Sequence, residues 1–302
     1  MESPPTNTLG VQRRMRSYRI EGISRAFYRL RQSPLSLLGV GIIVGLFVVA
    51  VFAPYVAPYP QDAYIAVHFE RAFHSPSWEY PFGTDEAGRD ILSRVIIGSR
   101  ISILIGIMVL CVAAGGGVPL GLVAAYRGGV TENIIMRIAD IFLSVPPIAL
   151  ALAVTAALTP NLFNSILAIC FVWWPWYARI VHGKALSVKQ EQYVEASQSY
   201  GAGWLRIAFK DVLPNCMTPI LVKATLDMGW AILLGASLGF LGLGAQPPTA
   251  EWGVMIATGY PYIPEYWWLT VFPGLAIFAV VLGFNFLGDG LRDVFDVQLE
   301  MR

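Results

Sequence analysis

Lys223 and Asp227 stand four residues apart inside an otherwise apolar run, so on a helix they share a face and can pair. Arg137 and Asp140, three apart in another apolar run, can do the same. Ionisable groups in such surroundings are functional candidates by default. The first pair is a candidate for a pathway that meets charged substrate ends. The second lies nearer the end of its run and reads as a clasp between helices. Asp85, Arg89, Asp90 and Arg94 form a third charged group around Gly88, able to pair internally, to set Asp90 at a helix start, or to meet a partner protein. Glu195-Ala196-Ser197, with Tyr200 and Gly201 following, is a polar stretch between apolar runs. Covalent chemistry has no such footing. His68, His74 and His182 are scattered, no H-E-x-x-H or metal-ligand spacing occurs, and no nucleophile stands in a recognisable relation to a base. No G-x-x-x-x-G-K-[ST] segment is present to cradle the phosphates of a nucleotide.

The elements that carry these groups are apolar spans. Of the 302 residues 56% are hydrophobic and 14% charged, and the apolar residues gather into runs too long for the core helices of a soluble domain. The runs fall at 35–57, 98–125, 134–158, 163–181, 216–243 and 268–288, each near or beyond the about 20 residues that cross the hydrocarbon. An all-α integral membrane protein of six transmembrane helices is predicted. Pro54, Pro58 and Pro60 break the first run, and Tyr55 and Tyr59 suit an interface. Pro146-Pro147 should bend the third, Gly115 to Gly117 should let a helix pack closely, and Trp173-Trp174-Pro175-Trp176-Tyr177 reads as a packed kink in preference to a substrate cage. Cys111, Cys170 and Cys216, odd in number and in or beside apolar runs, read as small buried hydrophobes without a disulfide.

Charge placement orients the chain. Residues 1–34 form a basic segment with Arg13, Arg14, Arg16, Arg19, Arg25, Arg29 and Arg31, interleaved with Tyr18, Phe27, Tyr28 and Leu30. It suits an amphipathic helix on anionic membrane lipid or, equally, an unstructured topology signal. With this segment inside, the other cytoplasmic stretches collect Arg127, Arg137, Arg179, Lys184, Lys189, Arg206, Lys210, Arg292 and Arg302, while residues 244–267 hold no Lys or Arg. The positive-inside rule therefore gives N-in and C-in. The domains follow: a cytoplasmic leader 1–34, a first span 35–58, a periplasmic loop 59–95, a core 96–290 containing a cytoplasmic loop 182–215, and a tail 291–302. The net charge of +1 gives no reason to expect nucleic acid as a partner.

The loop 182–215 is the longest cytoplasmic connection after the leader. Tyr193, Val194, Ala196 and Tyr200 recur at helical spacing, and Gly201 and Gly203 permit a sharp turn that returns Trp204, Leu205 and Ile207 towards the membrane. Leu213-Pro214 should stop that element before the fifth span. Such a helix fits a groove in a soluble partner or, with no partner, lies at the interface.

Glu195-Ala196-Ser197, Gly201 and Leu213-Pro214 resemble the E-A-A-x-x-x-G coupling motif of ABC-importer permeases, with Ser197 where alanine is usual. Phe82-Gly83-Thr84-Asp85 with Gly88-Arg89-Asp90, Phe240-Leu241-Gly242-Leu243-Gly244 with Glu251-Trp252-Gly253, and Gly288-Asp289-Gly290-Leu291-Arg292-Asp293 resemble, in order, blocks of the dipeptide/oligopeptide/nickel permease family. The similarity runs from about residue 35 to the end, and the chain is most similar to the C-type member of a permease pair, as in dipeptide permeases. The resemblance implies a type I ABC-importer transmembrane domain with no catalytic residue and no cofactor of its own. ATP and Mg belong to one or two partner ABC ATPases. A second, B-type permease completes the pathway, and an extracytoplasmic solute-binding protein delivers di- or oligopeptide in a prokaryotic inner membrane. Glu195, Ala196, Ser197, Tyr200, Gly201, Leu213 and Pro214 are then the candidate ATPase-coupling residues, with Glu195 bonding a basic group and Ala196 and Gly201 permitting close approach. Asp85, Arg89, Asp90 and Arg94 become candidates for contact with the binding protein. Relatives also carry nickel chelates, opines and oligosaccharides. An ion-coupled secondary transporter is the other class with such spans, but intramembrane charge is sparse and no inverted repeat is evident. The family often has an acid near Gly235, and its absence here predicts a more apolar pathway tolerant of hydrophobic side chains.

Overall fold

The computed structural model describes residues 33–300, with side chains through residue 295. The arginine-rich leader expected to lie on lipid falls outside the described residues. Among the described residues every named element is helical, with no named strand and one isolated bridge between Thr84 and Asp90.

Ser33 caps α1 (Pro34–Val51), its hydroxyl accepting the Ser36 N–H at 3.3 Å while Pro34 supplies a preset first turn. The helix is apolar on every side, as a lipid-facing element should be. It stops at Phe52, just before Pro54, and a single turn, α2 (Ala53–Val56), follows. The outer loop then leads to α3 (Ile91–Arg127), 37 residues long, which begins seven residues before the expected run. A one-residue link joins it to α4 (Gly129–Leu143). Pro146 and Pro147 then turn the chain by 89° into α5 (Pro147–Ala156), as their sequence position predicts. Asn161 caps α6 (Leu162–Val188), which passes Pro175 without ending. The short α7 (Gln192–Ser199) precedes one 37-residue rod, Trp204–Phe240. The rod consists of α8 (Trp204–Arg206), a π-helical turn (Ile207–Val212) and α9 (Leu213–Phe240). Finally come α10 (Trp252–Gly259) and α11 (Trp268–Glu300).

Among the described residues four helices are long and apolar enough to cross a membrane, and five if the bent pair α4–α5 is one span. α6 coincides with the remaining expected span and has sufficient length at 27 residues, but its Trp-rich centre and Arg179 make it less apolar. α11 continues through Glu300, beyond the expected end of the last span at 288.

Close helix contacts occur where small residues allow them. At Gly39 of α1, a Cβ would lie 2.8 Å from the Gly283 carbonyl oxygen of α11. Of the Gly115–Gly117 run only Gly117 is used this way, with Gly121 one turn on; their faces meet the carbonyl oxygens of Trp174 and Ala178 of α6. One buried cluster joins α3, α6 and α9 through Val109, Ile169, Tyr177, Val181 and Leu238. A second joins α1, α9, α10 and α11 through Ile43, Ile232, Trp252, Trp268 and Phe284. Cys170 and Cys216 are buried as expected, whereas Cys111 is exposed on α3.

Candidate functional site

At the end of the molecule that charge placement assigns to the cytoplasm, α7 has one buried residue. Val194 is fully buried, so the rest of the helix must face outward. Glu195 and Ala196 are exposed, Ser197 is half-buried and Tyr200 is 90% exposed. The helix ends in two nested bonds, Gly201 N–H to the Gln198 carbonyl (2.9 Å) and Ala202 N–H to the Ser197 carbonyl (3.2 Å). That pairing places Gly201 in the left-handed region (φ 77°), which favours glycine. Within this chain no atom comes within 4 Å of a Cβ at Gly201, so the turn and not internal crowding demands glycine there.

Pro214 does not stop an element. The helix widens to a π-turn over 207–212, with the Leu213 N–H reaching back five residues to the Ala208 carbonyl, and continues as α9. Proline lacks an N–H and crowds the carbonyl four residues back, and the wider turn relieves both conflicts. Ile207 is buried as expected, while Leu205 is 54% exposed. Leu213 is half-buried and Pro214 exposed beside this turn.

Several partners of this surface have no motif to announce them. The Lys189 ammonium donates to the terminal carbonyls of α3 at Ala125 (3.4 Å) and Tyr126 (3.3 Å). Trp204 stacks on Tyr126 with ring centroids 6.2 Å apart, and the Arg127 guanidinium lies 5.2 Å over Trp204. Gln198 Nε2 donates to the Tyr126 hydroxyl at 3.3 Å, and Asn215 Nδ2 to the Tyr193 hydroxyl at 3.0 Å. The exposed face of α7 is therefore tied to α3 and α9. A bare cation near a helix C-terminus was the available signal for Lys189.

Asp85, Arg89, Asp90 and Arg94 are all buried, which corrects their reading as a surface for a binding protein. Asp85 Oδ1 accepts the N–H groups of Ala87 and Arg89, both at 2.9 Å, and its Oδ2 takes Arg89 Nε at 2.7 Å. Arg94 donates to the carbonyls of Asp62 (3.1 Å) and Pro248 (3.3 Å), joining two outer loops. Asp90 caps α3 by accepting from the Ser93 N–H at 2.8 Å and hydroxyl at 2.6 Å. Burial pushes the Asp90 carboxyl above the usual range, against the lowering by the Ser93 hydrogen bonds. Gly88 adopts φ 74° against the His68 carbonyl, where a side chain has no room.

The intramembrane charges also sort themselves. Asp140 of α4 pairs with Arg179 of α6, not with Arg137, which is exposed. Spacing along one helix showed the possible neighbour, and packing brought a better one. Lys223 and Asp227 do pair, midway along the Trp204–Phe240 rod. Asp227 is buried and Lys223 partly so. Beside them opens a cleft of about 460 Å³ lined by Trp173 and Trp176 of α6, Pro147 and Ile148 of α5, and Trp230, Leu233, Leu234 and Ser237 of α9. The Lys223 ammonium lies 5.2 Å over the Trp176 ring. Asp227 Oδ2 and Trp173 Nε1 are buried without hydrogen-bond partners; Tyr177, also against Asp227, has no well-formed bond from its hydroxyl. Two tryptophans of the expected kink are thus walls of a cavity. Gly235 packs on Ile105 of α3 and does not line it, so the apolar character comes from Leu233 and Leu234.

Residues 117–300 match the family of binding-protein-dependent transport system inner membrane components. The chain belongs to that family. Residues 23–76 match the N-terminal transmembrane domain of oligopeptide transport permease C. This permease is 43% identical to the probable D,D-dipeptide transport system permease protein of Escherichia coli K12, over 90% of this chain and 91% of the relative. It is 44% identical to the di/tripeptide transport system permease protein of Pseudomonas aeruginosa, over 86% and 88%. A glutathione transport system permease protein of Escherichia coli is 40% identical over 90% and 89%. Among solved structures, an inward-facing MetNI methionine ABC transporter chain superposes with a TM-score of 0.55 at 20% identity, covering 67% of this permease and 96% of that chain. The fold is that of a type I ABC-importer transmembrane subunit, and the permease is an inner-membrane component.

Proposed function

We propose that this permease subunit forms, with a B-type permease, the pathway by which an ATP-driven importer takes up di- and oligopeptides. The observation that carries the substrate class is that relatives at 40–44% identity, matched over most of both chains, are named for a D,D-dipeptide, di/tripeptides and glutathione, all peptides. One or two ABC ATPases bind at the surface around α7 and hold ATP and Mg, while a solute-binding protein delivers cargo at the opposite face. This chain supplies no catalytic residue to hydrolysis, because the phosphate cradle lies on the ATPases.

Coupling proceeds through α7. Glu195, Ala196 and Ser197 meet the ATPase, Glu195 offering a carboxylate to a cationic group. Gly201 fixes the exit of the helix. The bonds from Lys189 and Gln198 to the end of α3 carry displacement of α7 into a helix that spans the molecule. Tyr200 adds exposed aromatic area of the kind that anchors interfaces.

The test is uptake into proteoliposomes holding the assembled importer and its binding protein. A labelled dipeptide should accumulate only with ATP on the ATPase side, and Glu195→Lys with Gly201→Trp should abolish it. Uptake of a nickel chelate or oligosaccharide with none of any peptide contradicts the substrate class. Accumulation that survives ATP depletion contradicts the coupling.

A further inference from the structure

Helix packing does not account for the cleft beside Asp227. One oxygen of this buried carboxylate takes the Lys223 ammonium, while the other has no well-formed hydrogen bond, only the Tyr177 hydroxyl lying against the carboxylate. Leaving such an acceptor poorly satisfied in apolar surroundings is costly. A pair that served only to clasp helices has no use for that cost. A donor from outside the chain, better directed than the Tyr177 hydroxyl, removes it. The cavity of about 460 Å³ lies within the size range of small-ligand sites. Its indole walls suit a cation, and Lys223 already places an ammonium over Trp176. Trp173 Nε1, the other unpartnered group lining the cleft, is a donor suited to a carbonyl oxygen.

We infer that this cleft is a subsite of the pathway that binds a protonated primary amine of the cargo, with Asp227 Oδ2 accepting its N–H between the indoles of Trp176 and Trp230. Trp173 Nε1 donates to a carbonyl oxygen of the same ligand. Lys223, held on the other carboxylate oxygen, repels the arriving ammonium and keeps the site weak. A pathway needs that weakness, since cargo must leave as well as enter. The inference rests on the importer reading and names the chemical group that the reading leaves open.

The assembled importer in nanodiscs, without binding protein, carries Ser237→Cys at the rim of the cleft. Labelling of that cysteine by a methanethiosulfonate is read by mass spectrometry, which separates it from Cys111, Cys170 and Cys216. Alanyl-alanine should slow labelling, and N-acetyl-alanyl-alanine should need about tenfold more for the same protection, one charge-assisted hydrogen bond being worth that factor. Asp227→Asn should lose the distinction, whereas Lys223→Met should retain or sharpen it. Protection by an Nα-acetyl-lysine amide assigns the site to any primary amine, and its absence restricts the site to the cargo N-terminus. Equal protection by free and acetylated dipeptides, no protection by either, or undiminished discrimination in Asp227→Asn overturns the inference. ATP-driven uptake is measured on the same Ser237→Cys importer reconstituted into proteoliposomes with binding protein, so the importer reading stands or falls separately.

Discussion

The Lys189 ammonium lies 5.0 Å over the Tyr126 ring and donates to the Tyr126 carbonyl oxygen at 3.3 Å, closing the end of α3 with a charge from the segment that leads into α7. A cation in the last turn of a helix contributes about 1 kcal/mol or less. Lys189→Met should therefore leave the assembly intact but reduce the docked population of α7 by roughly fivefold or less. The expected readout is a lower ratio of peptide transported to ATP hydrolysed. An unchanged ratio would remove this contact from the coupling route.

Gly201 offers a separation of conformational from steric demand. Its φ of 77° strains a β-branched residue by about 1–3 kcal/mol, whereas asparagine enters the left-handed region more readily. Gly201→Asn should retain most uptake and Gly201→Val should lose most of it. Equal loss in both would mean that close approach of a partner, not the turn, requires glycine.

Glu251 is buried and caps α10, accepting from the N–H groups of Gly253 at 3.0 Å and Val254 at 2.9 Å. Glu251→Ala should cost about 1–2 kcal/mol, as loss of an N-cap does, and lower the melting temperature of the purified complex. An unchanged melting temperature would show that the cap is dispensable.

The outer carboxyls predict a pH dependence. Burial raises Glu86, Asp90 and Glu251 above their ordinary values, so the folded chain holds these protons more tightly than the unfolded one. Their contribution to stability is full below the unfolded carboxylate pKa of about 4 and is lost as pH rises through the raised folded values. Hydrogen exchange in the 59–95 loop should accelerate as pH rises through that window, after correction for intrinsic exchange. Glu86→Gln should flatten part of the slope. A slope of the opposite sign would mean that ion pairing outweighs burial.

Hydropathy made the long helices legible because lipid-facing sides need no polar stripe. It misplaced the start of α3, where Ser93 and Arg94 are polar yet buried, satisfied by contacts with Asp90, Asp62 and Pro248 that arise only on folding. The polar stretch around Glu195 was readable from its place between apolar runs, but its anchorage to Tyr126 depends on residues about 70 positions distant. The Asp140–Arg179 pair was hidden for the same reason. Lys223 and Asp227 share a face by spacing, whereas the cavity beside them requires α5 and α6 to be placed against α9.

The most direct measurement is to purify the tagged permease from its native membrane in mild detergent and identify its companions by mass spectrometry, with and without Glu195→Lys and Gly201→Trp. A second permease and one or two ATPases should co-purify, with the ATPases lost from the double variant. Recovery of this chain alone, or ATPases retained undiminished by the variant, would contradict coupling through α7.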